Sequence, residues 1–147
     1  MTKQEYQHIR NLAWDLLIDA HITSLPTNIE AIAKVYGCQN IIIDGNSLYN
    51  NALLVSNNIL TILGYPSSME HGKCLAVRIL SPMIVLKELK VRSATDIARY
   101  TNLPLAEANK RFNRLQELMA RDKFETSGLE TRVLEQFKPW ITTVSSS

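Results

Sequence analysis

His71 and Cys74 stand three residues apart in this 147-residue chain, with Glu70 beside them. On a helix that spacing puts the imidazole and the thiol on one face. Such a pair is competent to hold a soft or borderline metal. A closed zinc site takes four ligands, and only Cys38, His8, His21 and acids remain to complete one. The chain has three histidines and no two lie four apart, so an H-E-x-x-H zinc helix is impossible. The same spacing equally suits a partly exposed histidine beside a small buried cysteine. Glu70, His71 and Cys74 are therefore remote metal candidates only. A Cys74–His71 nucleophilic dyad would need a third orienting group, and none is marked. There is no G-x-S-x-G, P-loop or G-x-G-x-x-G, and five glycines leave little room for a phosphate cradle. No cofactor is expected.

The other chemistry is charge. The net charge is +2, but residues 1–66 sum to −2 and residues 67–147 to +4. Much of the excess lies in Lys110, Arg111, Arg114, Arg121 and Lys123. A solvated basic helix face explains this without a partner. Residues 93–115 also read as helix–turn–helix: SATDIARYT, then NLP, then LAEANKRFNRL. In that reading Ala98 sits at the helix crossing, and Lys110, Arg111, Asn113 and Arg114 face outward as candidates for binding DNA or a partner. The turn lacks the usual glycine.

Helices must position most of these groups. Tyr6, Ile9, Ala13, Leu16, Leu17 and Ala20 recur at helical steps and predict a helix over 3–20. Thr27 and Glu30 have capping-box spacing for a short helix to Tyr36, with Gly37 as its stop. Ser67 and Glu70 repeat that spacing ahead of Leu75, Ala76, Ile79 and Leu80. Pro82 ends that helix and starts the next, with Ser81 as cap. Ser93 caps a short helix around Asp96 to Tyr100. Leu105, Ala108, Phe112, Leu115 and Met119 step by three and four, predicting a helix over 105–121. Ser127 and Glu130 cap a last helix, which Pro139 stops, leaving 142–147 as a flexible tail. Trp14 and Trp140 are expected in the core or half-buried, Trp140 alternatively on a second subunit.

Residues 39–63 read differently. Gln39 to Ile43 is apolar and β-branched, Asp44-Gly45 is a hairpin signal, and Asn50-Asn51 and Asn57-Asn58 separate short apolar runs. The reading is a small antiparallel meander closed by Gly64-Tyr65-Pro66. The predicted fold class is thus α+β, mostly helical, as one domain over residues 1–141.

Composition agrees with an ordinary globular chain: 46% hydrophobic and 20% charged residues exclude disorder. Two cysteines exclude a disulfide scaffold. No apolar run is long enough to span a membrane, and the N-terminus does not read as a signal peptide. A cytoplasmic location is expected.

LAVRILSPMIVLKEL at 75–89 resembles the F-A-x-x-L-L-x-P helix of the ImmA/IrrE metallopeptidase family. RNLAWDLLIDAHITSLPTNIEAIAKVYG resembles that family's two N-terminal helices, and IIIDGNSLYNNALLVSNN its strands. VRSATDIARYTNLPLAEANKRFNRLQEL and LETRVLEQFKPWI resemble the later helices of its phage and mobile-element members. The resemblance spans nearly the whole chain. It implies a scaffold without its catalytic helix: either that helix is deleted, or ILTILGY is its remnant. In the second alignment Ser56, Asn57 and Leu60 take the positions of the two histidines and the glutamate. The third ligand position falls on His71, with Glu70 one residue off register.

Active members of that family cleave a cognate repressor. The resemblance therefore implies a non-catalytic protein of a phage or mobile element that binds a protein partner, as antirepressor or as inhibitor of a host defence factor such as a nuclease. The alternatives are a DNA-binding regulator through 93–115 and, remotely, a residual metal-dependent peptidase. Homo-oligomerisation is compatible with the sequence.

Overall fold

A computed structural model of the protein describes residues 1–38, 47–65, 68–121 and 128–145. They form eight helices: α1 (Lys3–Asp19), α2 (Ile29–Val35), α3 (Leu48–Ile62), α4 (Met69–Leu80), α5 (Met83–Glu88), α6 (Ala94–Thr101), α7 (Leu105–Ala120) and α8 (Gly128–Ser145). No strand occurs among the described residues, so the expected α+β class is corrected to all-helical.

The correction centres on α3. Asn51, Ala52, Val55, Ser56, Ile59 and Leu60 are buried, which is a helical stripe with a step near four rather than the alternation of a strand. Ser47 caps its start by accepting from the Asn50 N–H at 3.3 Å. The paired asparagines expected at turns lie inside this helix. Asn58 turns its amide onto the Leu54 carbonyl at 2.8 Å, which satisfies the side chain without breaking the backbone ladder. Gln39 to Ile43 and the Asp44-Gly45 turn lie outside the described residues.

α3 packs on α4 as a helical hairpin. Gly72 permits the close approach: a Cβ there would sit 1.9 Å from Asn57 Oδ1. α4 is the central element, with eight of its twelve residues buried. It also packs on α1, which shows the expected face through Ile9, Ala13, Leu16 and Leu17. α1 begins at a capping box that sequence reading did not mark. Thr2 Oγ1 accepts from the Glu5 N–H at 3.1 Å and Glu5 Oε1 accepts from the Thr2 N–H at 3.4 Å.

Several caps shift by one residue. Asn28, not Thr27, caps α2 by accepting from the Ala31 N–H. Thr27 is buried and donates its hydroxyl to the Ile79 carbonyl of α4 at 2.7 Å. A buried hydroxyl needs that partner more than the helix end needs a second cap. Ser68 caps α4, whereas Ser67 is outside the described residues. Ser81 closes α4 instead of capping α5. Ser93 caps α6 as expected, accepting from the Asp96 N–H.

Pro139 does not stop the last helix; α8 runs through it to Ser145. Proline costs a helix one backbone bond. Phe137 and Ile141 are buried on either side, and the Thr143 hydroxyl donates to the Pro139 carbonyl at 3.0 Å. Trp140 packs edge-on against Tyr100, ring centres 6.0 Å apart, and against Phe137. Gln136 ties α8 to the end of α1, donating to the Leu17 and Ile22 carbonyls at 2.8 and 2.6 Å. No helix among the described residues is long and apolar enough to cross a membrane.

Candidate functional site

The metal candidates do not assemble. Glu70 accepts from the N-terminal ammonium at 3.5 Å. His71 is buried, and its Nε2 meets Glu5 Oε2 at 2.5 Å. The hydrogen bond to His71 holds the Glu5 carboxyl below its ordinary value. Cys74 is buried and accepts from Arg78 Nη1 at Sγ, 3.0 Å. Burial pushes its thiol up, against a downward pull from Arg78 and Arg111. Among the described residues no three His, Cys, Asp or Glu side chains form a metal set.

The positions that the resemblance assigns to a peptidase do not fit zinc either. α3 runs unbroken through Ser56, Asn57 and Leu60. Ser56 and Leu60 are buried, and neither is a zinc ligand in a Cys/His/carboxylate set. Asn57 lies against Gly72. His71 supplies one imidazole, and its Nε2 is held by Glu5.

The basic candidates on α7 separate into two groups. Lys110, Asn113 and Arg114 are exposed. Lys110 pairs with Glu107 at 3.5 Å and Arg114 with Glu117 at 3.1 Å. Arg111, expected to face outward, is buried at 8% exposure. Its Nε donates to Ser81 Oγ at 2.9 Å and its Nη2 to the Ser81 carbonyl at 2.6 Å. The reason is positional: 111 is three beyond Ala108 and four before Leu115, both buried on the core face of α7.

Arg111 opens a site that sequence reading missed. It lines a cavity of about 130 Å³ with Arg10 and Trp14 of α1, Arg78 of α4, Arg114 of α7 and Glu130 of α8. Met83 and Ile84 of α5 add an apolar wall. Burial pushes the Arg111 guanidinium down to about 9, and the like charges of Arg78 and Arg114 push the same way. It remains a cation near neutral pH. Arg78 bonds the Cys74 sulfur and carbonyl and lies 5.6 Å over the Tyr6 ring. Among the described residues neither Arg78 nor Arg111 meets a carboxylate within ion-pair distance. Glu130 is raised by burial and lowered by the charge of Arg10. Trp14 is 6% exposed and its Nε1–H donates to no partner. A more open groove outside the cavity shares Arg10, Arg78 and Arg114.

The arrangement can hold an anion. It offers guanidinium forks from three helices, with Glu130 as the carboxylate in its lining. A signal was present in the sequence: Arg78 interrupts the apolar run LAVRIL, and a charge inside a buried helix is there for a partner.

No protein family, curated protein or solved structure matches this chain.

Proposed function

We propose that the chain is a non-catalytic binding protein of a phage or mobile element. It acts in the bacterial cytoplasm by holding a protein partner, a repressor or a host defence factor such as a nuclease. One observation carries this reading. The side chains able to do chemistry are spent on internal contacts, while Arg78 and Arg111 of the recess keep positive charge with no carboxylate in ion-pair distance among the described residues. Buried charge without a counter-ion is costly, so a recess of this kind is built to be completed from outside.

The stretch Leu48–Asn58, which the resemblance assigned to strands, is part of α3, so the binding reading rests on the recess and not on that alignment. The DNA-binding alternative keeps the α6–α7 pair, joined by a turn in which Asn102 takes φ 59° in place of glycine. It loses force because Arg111 points inward, and Lys110 and Arg114 already meet Glu107 and Glu117. A tagged pull-down from bacterial lysate, with and without nuclease, tests the choice. One protein retained in stoichiometric amount after nuclease treatment supports the binding reading. Recovery of DNA, with proteins lost on its digestion, refutes it.

A further inference from the structure

The recess defines its ligand more narrowly than a positive patch would. Its donors come from three separate helices: Arg10 on α1, Arg78 on α4, Arg111 and Arg114 on α7. Planar carboxylates are met by one guanidinium fork in one plane. Donors converging from several sides suit an acceptor whose oxygens point in several directions, which is the tetrahedral phosphoryl group. Arg114 is paired with Glu117 and Glu130 feels the charge of Arg10, which leaves the four guanidiniums a surplus of two positive charges. That surplus matches a dianion better than a monoanion. The volume of about 130 Å³ falls well under the roughly 300 Å³ at which small-molecule pockets begin. It admits a phosphoryl group but not a nucleotide.

We infer that the recess between α1, α4 and α7 is a binding site for a phosphoryl dianion, held by Arg10, Arg78 and Arg111. The inference rests on the reading of the recess as a binding site and needs no particular protein partner. Arg111 is fixed by its two bonds to Ser81, so the site is organised before the ligand arrives. The apolar wall of Met83 and Ile84 lowers the local dielectric and strengthens each charged contact.

The test is calorimetric titration of the purified full chain with inorganic phosphate in chloride buffer. Parallel arms use acetate and a short phosphoserine peptide. Phosphate is expected to bind saturably at one site, and more tightly at mildly alkaline than at mildly acidic pH, because the second phosphate proton must leave. Arg78→Gln is expected to weaken binding by about tenfold or more, since it removes one charge-assisted contact. Arg10→Gln changes an exposed side chain, leaves the core intact and is expected to weaken binding as well. Tighter binding of the phosphoserine peptide would place the dianion on a partner segment; tighter inorganic phosphate would make it a free ligand. Either supports the site. Absence of saturable binding in both phosphoryl arms overturns it, as does equal affinity for acetate or unchanged binding in both variants. A partner found by pull-down with no phosphate binding would refute this inference and leave the binding reading standing.

Discussion

Arg111 and Ser81 are joined twice, from Nε to the hydroxyl oxygen at 2.9 Å and from Nη2 to the backbone carbonyl at 2.6 Å, both in the protein interior. The contact links α7 to the α4–α5 junction, which is why a residue of a basic helix stretch faces the core. It also fixes a guanidinium that lines the cavity.

Ser81→Ala should therefore destabilise the fold. It removes the hydroxyl that accepts from a buried cation, and hydrogen bonds to charged groups contribute about 1.5–3 kcal/mol. A loss of about 2 kcal/mol is expected from the urea midpoint with an unchanged m-value. Arg111→Lys should cost a similar amount, because an ammonium cannot make both bonds in the plane of a guanidinium.

Gly72 and Asn57 should be coupled. Alanine in place of a mid-helix glycine normally stabilises by about 1 kcal/mol. Here the new Cβ would meet the Asn57 amide, so Gly72→Ala alone should gain nothing. In an Asn57→Ala background the same change should recover about 1 kcal/mol. A double-mutant cycle by chemical denaturation reads the difference. A purely additive result would mean that the α3–α4 approach is looser than described.

Glu5 and His71 set an acid limit. The hydrogen bond to His71 holds the Glu5 carboxyl below its ordinary value of 4.5. A carboxyl lowered in the folded state contributes stability above its unfolded value, and that contribution is lost as pH falls through the folded value. Stability of the wild type should drop on acidification below about pH 4.5. Glu5→Gln should flatten that part of the profile, as read by thermal melts across the acid range.

The two thiols should differ in reactivity. Cys38 is half-buried and Cys74 buried. Burial raises both, so neither is an activated nucleophile. A thiol reagent should label Cys38 first and reach Cys74 only with unfolding. Cys38→Ser should abolish the early phase.

Sequence periodicity carried the elements where one face is cleanly apolar. α1 and α7 follow from such stripes, and Ser93 from its cap. α3 was hidden because asparagine has a strong turn preference, and a stripe containing Asn51 and Ser56 does not look apolar. Its step of four was nonetheless there to read. Pro139 misled for the opposite reason: a local rule lost to packing by Phe137 and Ile141. The metal candidates were legible as residues, but their partners Glu5 and Arg78 lie too far along the chain, or read too much like surface charge, to be foreseen. The arginine recess was missed because Arg10, Arg78 and Arg111 come from three helices. Each signal was single: Arg78 interrupts an apolar run, and Arg111 stands in register with Ala108 and Leu115.

The most direct measurement is capture from bacterial lysate by the tagged wild type and by the Arg10→Gln/Arg78→Gln double variant, both after nuclease treatment. The expected result is one protein held in stoichiometric amount by the wild type and lost by the folded variant. Equal capture by both, or capture by neither, would contradict the account that the recess holds a protein partner.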